Sequence, residues 1–144
     1  VVIGMKALFL SATLVTLLAA CTSTPTTSTL YDELGADTGV ARIVDNFIIE
    51  ISFDPVIVAH FEKTDQNRFR TKLIEQICEI SDGPCRYSGD SMAASHRKMN
   101  ITEAEFNQTV DLLINAMNKA GTPMTAQNRL LARLKGLRED IIYR

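Results

Sequence analysis

The 144-residue sequence has no tryptophan, only seven glycines and four prolines, and just two histidines, His60 and His96. Alternating apolar runs are scarce, whereas apolar residues at helical spacing recur throughout, and together these predict an all-α fold. Two histidines exclude a His-rich metal site. A Gly-rich phosphate loop, a G-x-S-x-G turn and a paired-His zinc motif are all missing, so the common hydrolase, nucleotide and metalloprotease signatures are excluded. The net charge of −2 gives no long-range attraction to nucleic acid or to an anionic surface.

What is present begins with an export signal. Lys6 precedes an apolar run, Ala7 to Ala19, and Leu18-Ala19-Ala20-Cys21 closes it. Residues 1–20 read as a secretory signal peptide, too short for a comfortable membrane span. The Cys after small residues resembles a bacterial lipobox. That resemblance implies cleavage before Cys21 and lipid on its thiol and amine. Thr22 stands where an inner-membrane retention signal has Asp, so the expected location is the periplasm, anchored to the outer membrane. Residues 21–29 then form a lipidated Cys and a flexible Thr/Ser tether, and residues 30–144 a single domain.

Val40, Ile43, Val44, Phe47, Ile48 and Ile51 form an apolar stripe, with Asp37 or Thr38 as its expected cap and Asp54-Pro55 as its stop. A second helix is expected from about Gln66 to Ser81, burying Phe69, Leu73, Ile77 and Ile80. Thr102-Glu103-Ala104-Glu105 is a capping box opening a third, with Phe106, Val110, Leu113 and Met117 on one face and Gly121 and Pro123 at its end. A fourth carries Leu130, Leu134, Leu137 and Ile141. His60 is expected to point to solvent.

Between the second and third helices runs Gly83 to Met99. Asp90 is the expected cap of a short helix placing Met92, His96 and Met99 at i, i+4 and i+7 on one apolar face. Cys78 and Cys85 with the two histidines match no usual zinc spacing, and the C-x-x-C-H of c-type haem is absent. One imidazole on an apolar face fits a b-type haem, with basic groups at the rim for its propionates. On the residues alone, His96 as a core residue of a structural outer-membrane lipoprotein bundle stands beside that reading.

From Leu30 onward the chain resembles the group I truncated haemoglobins. The resemblance is carried by Leu30-Tyr31-Asp32-Glu33-Leu34-Gly35, Phe61, Asp82-Gly83-Pro84 with Tyr87-Ser88-Gly89, Met92 with His96, Ile101 to Phe106, and Lys119 to Pro123. It implies a two-over-two helical sandwich of four main helices with short connecting ones. It implies haem b held by His96 as proximal iron ligand, with Phe61, Arg68, Lys72, Tyr87, Met92 and Phe106 around it. Oxygen, carbon monoxide and nitric oxide are the implied ligands. Nitric oxide oxidation would need an external electron donor, because no reductase domain is visible.

The departures concern the distal side. The family usually has Tyr where Ile48 stands, and often Gln where Phe69 and Leu73 stand. The expected distal pocket is Ile48, Phe61, Phe69, Leu73, Gln76 and Ile77, with Gln76 the one nearby amide. The opening motif reads Gly35-Ala36 where the family has two glycines, and Ala is strained there if φ is positive. Cys78 and Cys85, seven apart, are either a disulfide or two buried thiols; the bridge needs Cα atoms within about 7 Å.

Overall fold

A computed structural model of the chain describes residues 28–144. The expected signal peptide, Cys21 and all but the end of the tether lie outside the described residues. Among the described residues six α-helices follow one another: α1 (Leu30–Glu33), α2 (Ala36–Phe53), α3 (Gln66–Ile80), α4 (Met92–Ser95), α5 (Glu103–Ala120) and α6 (Met124–Lys135). Short 3₁₀ turns cover Val58–Phe61 and Arg138–Asp140. The four long helices are those the apolar spacing predicts, and they make the two-over-two arrangement. No helix among the described residues is long and apolar enough to cross a membrane.

The helix ends follow local chemistry. Thr29, the last residue of the expected tether, caps α1 in a capping box with Asp32. The predicted box at α5 is present: Thr102 N–H donates to Glu105 at 2.8 Å, and Glu105 N–H donates to the Thr102 hydroxyl at 3.2 Å. Gly121 ends α5 in the left-handed conformation.

Two expected boundaries are corrected. Neither Asp37 nor Thr38 caps α2. The N-cap is Gly35 at φ 92°, followed by Ala36 at φ 52°, and no side chain caps the helix. Asp37 instead accepts a hydrogen bond from the Tyr31 hydroxyl, which pushes the Tyr31 pKa up to about 12. The last helix stops at Lys135, with Gly136 at its C-cap, so Leu137 and Ile141 lie beyond it. Gly136, a poor helix residue, was the signal for that stop.

The packed core lies where α2 meets α5 and, less extensively, α3. Val40, Ile43, Val44, Ala116 and Met117 are fully buried there, and Ala126 and Leu130 of α6 join the same cluster. The two-cysteine alternative resolves as a disulfide: Cys78 and Cys85 are joined, with Cα atoms 5.7 Å apart. At the far end, the C-terminal residues pair with the segment before α5. Tyr143 N–H donates to the Ile101 carbonyl at 2.9 Å and Asn100 N–H to that of Arg144 at 2.8 Å.

Candidate functional site

The apolar stripes of α3 and α5 do not close on each other along their whole length. Phe69, Leu73, Phe106 and Val110 remain partly exposed, while Ile77 and Leu113, farther along the same two faces, are buried. The space between them is a cavity of about 490 Å³. Its lining takes Phe61, Phe69, Leu73 and Ile77 from α3 and the turn before it, Phe106, Val110 and Leu113 from α5, and Leu134, Leu137 and Ile141 from the end of α6 and the segment after it. Met92, His96 and Met99 complete the lining from the segment after α3.

His96 enters this cavity differently from the expectation. The helix is one turn long, Met92–Ser95, and its cap is Ser91, whose hydroxyl accepts from Ala94 N–H at 3.2 Å. Asp90 is not the cap; its carbonyl takes the Tyr87 hydroxyl at 2.7 Å and its carboxylate faces Arg68 at 3.6 Å. His96 is the C-cap residue and Met99 lies beyond the helix, so the i, i+4, i+7 face exists only as cavity lining. The His96 Nδ1 lies 2.8 Å from the Met92 carbonyl oxygen. A carbonyl oxygen only accepts, so Nδ1 carries a proton, and in the neutral imidazole the lone pair is then on Nε2. That is the tautomer a metal-binding imidazole needs, fixed by the backbone of its own turn.

The predicted distal residues divide. Phe61, Phe69, Leu73, Gln76 and Ile77 line the cavity. Ile48 does not. It lines a separate space of about 30 Å³ with Ile51, Val58, Phe61 and Phe69. The Phe61 and Phe69 rings, edge to face with centroids 4.9 Å apart, border both spaces. Phe47, one residue earlier on α2, reaches the large cavity in its place.

His60 is also corrected. It lines the cavity, with Nε2 3.0 Å from Glu105 Oε1. Glu105 thus serves two neighbours at once, and the Thr102 backbone N–H, then the Thr102 hydroxyl, then His60 bring its pKa down to about 2. Sequence reasoning missed this pair because its members are 45 residues apart and no local pattern links them.

Arg68, Lys72 and Tyr87 all lie on the cavity edge. The Arg68 and Asp90 side chains are 60% and 69% exposed, so this edge opens to solvent. Lys72 is already engaged, donating to both Glu75 oxygens at 2.8 Å and to the Ser88 hydroxyl at 2.7 Å. The Gln76 amide donates to the Met92 sulfur at 3.2 Å. Burial raises the Tyr87 pKa.

These residues fit a porphyrin. The volume lies within the range of about 300–1,000 Å³ for sites that take small organic molecules. The walls are apolar, one imidazole offers a free nitrogen, and the open edge is polar. The sequence profile of the bacterial-like globins matches residues 29–143. The chain belongs to that family. A group 1 truncated haemoglobin from Mycolicibacterium paratuberculosis is 26% identical over 114 residues, covering 79% of this chain and 84% of that protein. The crystal structure of the truncated haemoglobin of Tetrahymena pyriformis, in its Fe(III) form, superposes with a TM-score of 0.78 at 20% identity, over 81% of this chain and all of that one. The 2/2 haemoglobin of Synechococcus, crystallised in the cyanomet state with covalently attached haem, gives 0.74 at 19% identity, over 80% of this chain and 98% of that one. The fold of this globin is therefore the two-over-two fold, and haem binding is the function its family implies.

Proposed function

We propose that this globin holds one non-covalent haem b through His96 and binds diatomic gases there. The observation that carries this is His96 in the wall of an apolar cavity of about 490 Å³, its Nδ1 tied to the Met92 carbonyl and its Nε2 free. When bound, haem supplies the iron that takes the gas. The protein's part is the rest. His96 would anchor the group, Phe61, Phe69, Leu73, Phe106 and Val110 would enclose it and exclude water, and Arg68 and Tyr87, at the solvent edge of the cavity, would meet its carboxylates.

Three polar side chains of the cavity lining have other partners: His60 has Glu105, Gln76 has Met92, and Lys72 has Glu75 and Ser88. A ligand that gathers negative charge on binding therefore finds little help. This favours carbon monoxide and nitric oxide relative to oxygen, and rapid exchange over storage. Oxidation of nitric oxide on this site draws on an outside electron donor. A purely structural bundle is disfavoured, since interiors pack closely and an unfilled apolar cavity of this size is destabilising.

For location, the disulfide adds to the lipobox reading, because disulfides persist in oxidising compartments such as the periplasm. We read the protein as lipid-anchored there through Cys21. Labelled fatty acid should enter the wild type and not Cys21→Ser.

The test of the main reading is a Soret band in the purified domain, with haem extractable into acidified organic solvent. His96→Ala should lose most of it. Full haem content with an unchanged spectrum in that variant would mean that His96 is not the ligand.

A further inference from the structure

We propose that residues 84–92 form a strap over the cavity mouth, latched by the Cys78–Cys85 disulfide, and that a dithiol reductant unlatches it and speeds haem release. The release half rests on the haem reading above; the strap itself does not.

The strap runs back along α3, which precedes it. Cys85 is bonded to Cys78, Ser88 meets Glu75 and Lys72, Asp90 meets Arg68, and Met92 meets Gln76. Partners on one side climb from 85 to 90 while those on the other descend from 78 to 68, and Met92 then turns back to Gln76. Tyr87, Gly89, Asp90 and Met92 line the cavity from the strap, and Arg68, Lys72 and Gln76 line it from α3. The seam between them carries the exposed Arg68 and Asp90, so it is the solvent edge of the cavity. The strap is also braced within itself. The Tyr87 ring folds back onto Gly89 so closely that a Cβ there would collide with it, and its hydroxyl donates to Asp90.

The fastenings differ in kind. Arg68 with Asp90 is an exposed ion pair, weak and screened by salt. Glu75 accepts from the Ser88 N–H at 3.1 Å and its hydroxyl at 3.0 Å, and from Lys72. The covalent fastening is the disulfide, which closes a short loop and restricts how far the strap swings when the polar contacts break. Cys78 is fully buried, whereas Cys85 is partly exposed. A dithiol thiolate therefore attacks the Cys85 sulfur, forming a mixed disulfide and displacing the Cys78 thiolate, which takes a proton. The second thiol of the reductant, as its thiolate, then attacks the reductant's own sulfur and frees Cys85, which is protonated in turn. The reductant leaves as a cyclic disulfide, and two electrons and two protons have passed to the protein.

Two measurements test this. The first needs no haem: amide hydrogen exchange at Ser88, whose N–H is bonded across the seam. Reduction with dithiothreitol should speed it about tenfold or more, roughly half of what closing such a loop contributes, while Val44 in the packed core stays unchanged. Equal exchange in oxidised and reduced protein overturns the strap. The second is haem transfer to excess apomyoglobin, expected to run about tenfold faster after reduction and in Cys85→Ser. An unchanged transfer rate overturns the release half. If Cys85→Ser does not fold, reduced wild type carries both measurements. If the protein takes up no haem, the release half falls with the haem reading, and the exchange result alone decides the strap.

Discussion

The two halves of α5 carry the same kind of apolar stripe and meet opposite surroundings. Ala116 and Met117 are buried in the packed core, while Val110 and Phe106, about two and three turns earlier, stay partly open to the cavity. An apolar stripe says that a face points inward. Whether side chains or a cofactor fills the space in front of it is a separate matter, set by what the facing helix brings.

Truncation should break the two halves apart most visibly. Met117→Ala leaves a hole in close-packed surroundings and should cost about 2–5 kcal/mol in the haem-free domain. Val110→Ala, at a wall that already borders empty space, should cost well under half of that. Urea unfolding of haem-free protein measures both. Equal losses would mean that the cavity is closed in solution. Haem loading should narrow the gap, since a ligand that binds only the folded state raises its stability, and Val110 then has a partner to lose.

The same contrast explains how much was readable beforehand. The four long helices, the Thr102 capping box and the Gly121 stop were all legible, because each depends on residues within a few positions of one another. The cavity lining from α3 and α5 was legible for the same reason. His60 was not, because its partner Glu105 comes from a different element and the order of the chain does not bring them together. Ile48 lines the small space and Phe47 the large one, although both fit the stripe on α2, because neighbouring positions of a helix face different directions and the stripe alone does not say which space each meets. The cap of the His96 turn moved from Asp90 to Ser91 because Arg68 and Tyr87, distant or preceding in sequence, hold Asp90 elsewhere.

On the cavity side, the engagement of the Gln76 amide with Met92 has a measurable consequence. A hydrogen bond to a charge-bearing ligand is worth about 1.5–3 kcal/mol, or roughly tenfold to a hundredfold in release rate. With the Gln76 amide turned to the Met92 sulfur, stopped-flow oxygen release should be fast and Gln76→Leu should change it by less than about threefold. Tenfold acceleration in that variant would show the amide turned inward in the loaded protein.

Acid should weaken the cavity side through its carboxylates. Glu105 has a pKa of about 2 against an ordinary 4.5, and Glu75 is lowered by Lys72 first and then by the Ser88 N–H. Both folded-state values lie below the unfolded ones. Their contribution is therefore fully present above the ordinary carboxyl range and is lost as pH falls from about 4.5 toward 2. The urea midpoint of the haem-free domain should hold steady above that range and drop within it. Glu105→Gln should flatten the drop. An identical acid slope in wild type and variant would remove Glu105 from the account.

The smallest effect belongs to the packed side, at the junction of α1 and α2. Ala36 holds φ at 52° directly after Gly35 at φ 92°. A left-handed backbone costs a residue with a Cβ roughly 1–2 kcal/mol, and glycine's greater freedom in the unfolded chain offsets about 0.5–1 of that. Ala36→Gly should therefore stabilise the domain by at most about 1 kcal/mol, visible as a rise of a few degrees in Tm. Gly35→Ala, which adds a second strained residue, should lower Tm. Leu30, Leu34 and Val40 around this junction are buried and none lines the cavity, so neither change should alter haem transfer rates. A fall in Tm for Ala36→Gly would mean that the Ala36 methyl contributes more by packing than it loses by strain. A change in haem transfer would mean that the two regions are coupled through α2.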